Sequence, residues 1–350
     1  MRTTVRIIGG SLGVLLVGLA GFFFWASGGR LSDDALRTSP RYASPAPSPD
    51  TLTVATYNIG YLSGMTNNEP VVRPESLFTA NMEAALTLLQ EVNADVVGLQ
   101  EIDFGAARSF YKHQLDTLAT RLNYATAARA VNWDVRYLPF PYGRPAVHFG
   151  RVLSGQAVLS RRPMRMHRRY VLPRPPLPFY RDAFYLDRLA QATVVAFDDK
   201  PLVVLNVHLE AYDAETRTAQ ARQVRALYDR VAQPGVPVLL LGDFNAAIDA
   251  PEDSTMAVLL DETNLRPARP DTASAGTFPA DAPTRTIDHI LYRSGPLTSA
   301  SATVHCGPQD APPSDHCAVR ASLTMDSTAA PPALDSVRAL LPPTGRLDAD

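Results

Sequence analysis

Cysteine is almost missing from the 350 residues: Cys306 and Cys317 are the only two. That excludes a disulfide-stapled miniprotein and leaves no Cys/His set suited to a structural zinc. Lysine is equally scarce, with Lys112 and Lys200 alone among 33 basic residues. Net positive charge is absent, because those 33 face 35 acids for a formal charge of −2. A generally basic nucleic-acid binder is thereby excluded, and only a local patch is left open. With 46% hydrophobic and 19% charged residues, a sizeable core is available, which excludes global disorder and collagen-like repetition. No internal repeat is visible.

Charge is also absent from residues 7–26, IIGGSLGVLLVGLAGFFFWA. At ~1.5 Å per residue, a helix of this length reaches ~30 Å, the thickness of a bilayer's apolar core. Arg2, Arg6 and the amino terminus precede it, and the positive-inside rule keeps them cytoplasmic. The expectation is one N-terminal transmembrane helix, a membrane anchor within 1–27, with the remainder exported to the periplasm or cell surface. A cleaved signal is the rival, with Ala26-Ser27-Gly28 a poor cleavage site. The run exceeds the ~7–15 residues of a signal core, which favours a retained anchor. In an exported chain Cys306 and Cys317 can pair; two buried thiols fit equally, since a sequence carries no Cα distance.

Residues 28–50, rich in Ser, Pro, Gly and Asp, read as a flexible linker, and the Pro-rich 326–350 as a disordered tail with one short helix around Leu334–Leu341. The folded unit is then 51–325. Apolar runs at 52–59, 95–100, 154–160, 191–197, 202–209, 237–244, 286–292 and 317–323 predict buried strands. Helical periodicity predicts helices over 76–92 and 214–232, with Asp213 as an N-cap, and a shorter helix over 254–261. Strands and helices mix without strict alternation, so an α/β fold with two packed sheets flanked by helices fits as well as a doubly wound sheet.

One stretch lacks acids: from Arg161 to Arg181 there are seven arginines and no Asp or Glu. It lies within 129–188, a segment crowded with aromatics and proline that reads as an elaboration over one end of the scaffold. A solvated face and a surface for phosphate or lipid headgroups both fit the arginines. Trp133, Tyr137, Phe140 and Tyr142 suit either a cap over the sandwich or substrate contact.

What the chain does have is a set of polar residues at strand ends. Asn58 closes the first strand and Gln100-Glu101 the second; Asn206 and His208 share one side of LNVHLE, and Asp243 and Asn245 one side of LLLGDFN. Asp288 follows in RTIDHILY, and Ser314-Asp315-His316 precede the last strand. One such ending is ordinarily a solvated turn, but six in one chain point to a shared site. Asn58, Glu101 and Asp315 are hard oxygen donors suited to Mg²⁺ or Mn²⁺. Asp243 can orient and deprotonate water, while Asn206, Asn245 and His208 can hydrogen-bond charge on phosphoryl oxygens. Asp288 and His316 form a carboxylate–imidazole pair. The sum is metal-assisted hydrolysis of a phosphate ester. His113, His148, His167, His289 and His305 read as surface or packing residues, Tyr124 as a core strand residue, and Glu210 and Asp103 as solvated neighbours of the motifs.

TYNIG (56–60), LQE (99–101), SGQAVLSR (154–161), NVHLEA (206–211), GDFN (242–245), TIDHIL (286–291) and SDH (314–316) stand in an order that resembles the endonuclease/exonuclease/phosphatase superfamily. The resemblance covers about 51–325. It implies a four-layer αββα sandwich with the site at one end. It implies Glu101 and Asn58 as metal ligands, with Asp315 a second acid near the ion. It further implies His208 on the phosphate, Asp243 aligning the water, Asn245 beside it, and Asp288 paired with His316. Secreted deoxyribonucleases, sphingomyelinases and inositol phosphatases share this scaffold, so fold does not choose the substrate. The anchor and the 129–188 insert favour a phosphodiesterase acting on lipid or glycolipid headgroups. The NWDVRYLPFPYG and NVHLEAYDAETRTAQARQV blocks also resemble a branch of bacterial membrane proteins linked to glycosylphosphatidylinositol remodelling. An extracytoplasmic nuclease and a phosphomonoesterase for inositol or sugar phosphates are the alternatives, with an inactive scaffold last. Nothing points to an obligate protein partner.

Overall fold

An apolar run without alternation needs cover on both faces. The chain supplies it with a second sheet on one side and helices on the other. A computed structural model describes residues 2–44, 51–197, 200–232, 235–260, 265–268, 276–325 and 332–347. The first of two seven-stranded sheets has the order Arg37–Thr38, Thr126–Leu138, Gly150–Ser160, Val96–Asp103, Thr51–Asn58, Ala318–Met325, Leu297–His305. The second runs Leu265–Pro267, Asp288–Arg293, Val238–Asp243, Lys200–His208, Leu189–Phe197, Met164–Val171, Gly345–Arg346. Both are mixed: Thr51–Asn58 is parallel to Val96–Asp103, and Lys200–His208 to Val238–Asp243, among antiparallel neighbours.

Leu52, Val54, Val204, Leu239, Leu241 and Val319 fill the space between the sheets. Outside the first sheet, Phe78, Ala85 and Leu89 of the helix Glu75–Val92, with Leu115 of Gln114–Arg121, pack on Tyr57, Val97 and Leu99. Outside the second, Val224, Leu227 and Val231 of Ala214–Val231, with Met256 of Ser254–Leu260, pack on Val203, Leu205 and Leu240. The layers are therefore helix, sheet, sheet, helix. Asp213 caps Ala214–Val231, its side chain accepting from the Thr216 N–H at 2.7 Å. Residue 261, at the end of the expected third helix, lies outside the described residues.

Two sequence expectations are corrected and one open choice is closed. The 129–188 segment is not an elaboration throughout, because Thr126–Leu138 and Met164–Val171 are sheet strands. Charge disguised the second of these. Arg169 is buried, yet its Nε donates to the Val131 carbonyl at 2.7 Å and its Nη2 to Asp187 at 3.1 Å, an acid beyond the arginine run. Segments 28–50 and 326–350 are likewise partly built into the fold. Arg37–Thr38 pairs with the edge of the first sheet. Helix Leu334–Leu340 buries Val337 in the core beside the second sheet, and Gly345–Arg346 pairs with Tyr170 and Val171. Two-residue strands carry no readable alternation, so their composition alone made them look solvated. Residues 45–50, 326–331 and 348–350 lie outside the described residues. Finally, Cys306 and Cys317 form a disulfide, which closes the choice the sequence left open. The N-terminus is one helix, Arg2–Ser27, of which Gly9–Ser27 is long and apolar enough to cross a membrane.

Candidate active site

Strand register brings the polar endings together. Asn58 pairs with Gln100, His208 with Asp243, and Asp243 with Asp288, so the relevant ends of both sheets meet at one end of the sandwich. Glu101 and Asn245 there hold left-handed backbone. Glu101 (φ 50°) sits in a register shift between Leu99 and Ile102, a bulge that re-aims its side chain. Asn245 (φ 51°) follows Asp243, its N–H donating to Asp243 Oδ1 at 2.9 Å and its Nδ2 to the Leu209 carbonyl at 3.1 Å. Such conformations cost ~1–3 kcal/mol each, and persist where packing over-determines them. The glycine of GDFN is dictated too: at Gly242 (φ 148°) a Cβ would lie 1.9 Å from the Val207 carbonyl oxygen.

Asn58 Nδ2 donates to Asp243 Oδ2 at 2.9 Å and lies 3.5 Å from His316 Nε2. His208 Nε2 is 3.5 Å from Asp243 Oδ2 and 3.9 Å from Glu101 Oε1. His316 Nδ1 is 3.0 Å from Asp288 Oδ2, and its Nε2 3.8 Å from Asp243 Oδ2. Asn67 joins the remaining acids, its Nδ2 donating to Glu101 Oε2 at 2.9 Å and reaching Asp315 Oδ2 at 3.4 Å. The structure thus gathers Asn58, Glu101, His208, Asp243, Asn245, Asp288, Asp315 and His316.

Asn206 is the exception, and its expected phosphate contact is corrected. It lies two residues further into the sheet and is fully buried. Its Oδ1 accepts from Gln100 Nε2 at 2.6 Å, and its Nδ2 donates to the carbonyls of Leu99 and Ala157 and to Gln191 Oε1. Both ends of the amide are committed to the protein.

Charge at the site follows from burial and neighbours. Burial opposes the His316 cation, but Asp288 and then Asp243 outweigh it and hold the imidazole well above its ordinary range. Burial pushes the Asp243 carboxyl up, with His316 pulling the other way. Asp315 is pushed up to about 6 by burial, opposed by His316 and reinforced by Glu101. His208 is held well below the usual imidazole range by burial and then by Arg188.

Three contributors have no periodic signature in the sequence. Asn67 comes from a loop, and Arg188 from the segment just before a strand. Glu210 was expected to be solvated but is fully buried, accepting from Tyr185 Oη at 2.8 Å and from Arg188 Nε at 3.4 Å. Asp103 corrects the same expectation: it is buried and ion-paired with Arg108 at 2.8 Å. An apolar run next to a buried acid gives no hint of the arginine that neutralises it.

The donor set fits a hard divalent cation. Glu101 and Asp315 share one donor, Asn67, and their mutual repulsion is what a cation relieves. Asn67 Oδ1 is buried without a hydrogen-bond partner. Gly60 (φ 51°) keeps that side open, since a Cβ would lie 2.7 Å from Asp315 Oδ1. Asp243, Asp288 and His316 form a second buried group whose ligand atoms lie within 4.8 Å of one another. In it the hydrogen bond from His316 Nδ1 to Asp288 Oδ2 already occupies one ligand atom of each residue.

Among solved structures the chain is similar to an endonuclease/exonuclease/phosphatase from Beutenbergia cavernae, at 20% identity and a TM-score of 0.60, over 79% of this chain and 72% of that one. It is similar to TDP2 from Caenorhabditis elegans at 17% identity and TM-score 0.54, over 78% and 74%. A mannosyl-6-phosphatase from Bacteroides thetaiotaomicron matches at 16% and 0.53, over 78% and 100%. These identities speak to the fold alone. No curated protein matches in sequence. The model of the endonuclease/exonuclease/phosphatase family matches residues 55–316, well over half of the length. The chain belongs to the endonuclease/exonuclease/phosphatase family, a family of metal-dependent phosphoric ester hydrolases.

Proposed function

We propose that this hydrolase is a phosphodiesterase that uses Mg²⁺, with Mn²⁺ as a substitute. In this reading residues 1–27 tether it to the membrane, 28–50 lead to the catalytic domain of 51–325 outside the cytoplasm, and it acts on lipid or glycolipid headgroups. The observation that carries the chemistry is the convergence of Asp243 with His208, His316 and Asn58 inside 4 Å at the end that also holds Glu101.

Glu101, Asp315 and Asn58 would hold the ion. When bound, it supplies Lewis acidity toward the phosphoryl and leaving oxygens. Asp243 orients a water and accepts its proton as the water oxygen bonds to phosphorus. Burial favours this role by bringing its carboxyl closer to neutral pH. His316, cationic and fixed through Nδ1 by Asp288, stabilises the charge that builds as the P–O bond to the departing alcohol breaks. Asn245 and His208 stand beside it, with Arg188 donating to His208 Nε2. The apolar Gly9–Ser27 helix supports the tether, and the arginines before it support the orientation.

Hydrolysis of bis-p-nitrophenyl phosphate with and without chelator tests the reading: turnover stops with chelator and returns with Mg²⁺. Asp243→Asn lowers turnover by about 10²–10⁴-fold with unchanged circular dichroism. Undiminished turnover in chelator, or a near-normal Asp243→Asn enzyme, overturns it. A reporter fused after residue 50 that is active only in the cytoplasm overturns the topology.

A further inference from the structure

The apolar N-terminal helix is not separate from the catalytic domain; its last turn is packed against it. Phe22 stacks edge-on with Tyr137, ring centroids 6.0 Å apart, and Phe23 does so with Phe184 at 5.5 Å and Phe179 at 6.0 Å. Arg136 Nη1 donates to the Trp25 carbonyl at 3.3 Å, and the Arg30 and Leu31 N–H groups donate to Asp134 Oδ2. Tyr137 and Arg136 lie at the end of Thr126–Leu138 that pairs toward Gly150. Gly150–Ser160 in turn pairs with Val96–Asp103 so that Ser154 faces Asp103, two residues from Glu101. The helix therefore meets the sandwich at its catalytic end.

One short segment links the two. Phe184 touches the helix, and its carbonyl accepts from Trp133 Nε1 at 2.8 Å. Tyr185, the next residue, donates to Glu210, and Arg188 reaches His208 at 2.6 Å. Arg188 follows the helix contact, Phe184, by only four positions. Around this junction the chain exposes large aromatics that a water-facing surface does not need: Tyr142 at 71%, Phe179 at 77%, Tyr180 at 55% and Tyr212 at 84%. The Tyr212 N–H donates to Glu210 Oε1, the carboxylate that Tyr185 also holds, so this ring stands at the lip of the site. Arg144 and Arg181, both exposed, lie beside Tyr142 and Tyr180 in sequence.

A spanning helix leaves the hydrocarbon at the depth where aromatic rings and arginines prefer to sit, with ring bodies among the acyl carbons and cations among the phosphates. Aromatics fixed to the last turn of such a helix are held at that depth. We propose that Tyr142, Phe179, Tyr180 and Tyr212 form a surface seated in the headgroup region of the bilayer, so that the cleft containing Asp243 opens onto membrane-borne phosphate esters. This rests on the reading of Gly9–Ser27 as a retained span. Phe23 is the latch that sets the orientation, because it contacts both Phe179 and Phe184.

The test uses the full chain in nanodiscs of phosphatidylcholine and phosphatidylglycerol. Tyr142→Cys, Tyr180→Cys and Glu91→Cys are each labelled with bimane and challenged with shallow doxyl-labelled phosphatidylcholine. Glu91 is exposed in the last turn of the helix Glu75–Val92, which leads into Val96 at the far end of that strand from Glu101. Quenching at positions 142 and 180 is expected to exceed that at 91 several-fold, and Phe23→Ala is expected to reduce the difference. Equal quenching at all three overturns the proposal. Flotation of the labelled chain in alkaline carbonate separates the two levels. A chain that does not float has lost the span reading itself, whereas a chain that floats with an unquenched rim has lost only the bilayer contact. The Phe179→Asp/Tyr180→Asp double variant, placed outside the catalytic machinery, is expected to keep turnover of soluble bis-p-nitrophenyl phosphate within twofold while its bimane signal at 142 loses quenching. Retained quenching in that variant also overturns the proposal.

Discussion

Arg188 Nη1 lies 2.6 Å from His208 Nε2, with both side chains buried. A guanidinium only donates, so His208 accepts through Nε2 and carries its proton on Nδ1, which has no protein partner. The pair fixes a neutral imidazole whose Nε2, held by Arg188, faces Asp243 and whose Nδ1 N–H is buried without a partner.

Replacing Arg188 with Gln removes the cation but leaves the burial. The His208 titration midpoint then rises toward the ordinary imidazole range without reaching it, because burial is the larger of the two causes. Imidazole ¹⁵N shifts followed against pH check the direction and the loss of the fixed tautomer. Losing a charged hydrogen-bond partner costs about 1.5–3 kcal/mol, so turnover falls by about tenfold or more.

Asp288→Asn is expected to act through His316. The folded-state midpoint of His316 is raised, so its charge contributes stability at pH values below the unfolded imidazole value and loses it as pH rises through the raised one. With Asn at 288 the midpoint falls. The alkaline limb of the pH–rate profile moves to lower pH, and the variant's melting temperature drops most near pH 6 and converges with the parent at high pH. Parallel profiles across the range would remove Asp288 from this role.

Metal affinity should follow the proton on Asp315. With its carboxyl near 6, protons compete with the cation below that pH, weakening binding by up to about tenfold per unit. Calorimetric titration with Mg²⁺ at pH 5 and 7.5 reads the difference. In the metal-free chain the sign is opposite to that of a salt-bridged acid. The folded state holds a proton that the unfolded chain has released, so stability falls as pH climbs from about 4 to 6. Added Mg²⁺ reverses that fall.

The Cys306–Cys317 disulfide joins residues 11 apart in sequence and encloses Asp315 and His316. A Cys306→Ser/Cys317→Ser variant is expected to lose about 2–4 kcal/mol on denaturant unfolding. Hydrogen exchange over 307–316 should speed up, and turnover should fall with it, since that stretch carries the partner of Asp288. Unchanged exchange would assign the bond to the edge strand alone.

The site was legible where chemistry coincides with a strand end. Asn58, Glu101, His208, Asp243 and Asp288 each terminate or open an apolar run, so a one-dimensional pattern locates them. Arg188 and Asn67 do not, and only folding reveals which acid or imidazole they meet. Asn206 shows the opposite failure: a period of two puts it on the same side as His208, but says nothing of depth along the strand. Met164–Val171 hid because its buried arginine looks like surface until Asp187 is found beside it. The two sheets were visible as runs, whereas the short edge strands at 37–38 and 345–346 were below the length at which alternation exists.

The amide of Asn206 lies in the seam between the sheets, bridging Gln100 on one to Gln191 on the other. Of the residues suited to the cation, Asn58 and Glu101 stand on strands of the first sheet and Asp315 on the segment leading into its strand Ala318–Met325, while Asp243, His208 and Asp288 stand on the second. Greasy contacts between such layers tolerate sliding; a saturated chain of amides permits a single offset. The amide that looked like a ligand for substrate is thus a vernier, setting one half of the reaction centre against the other.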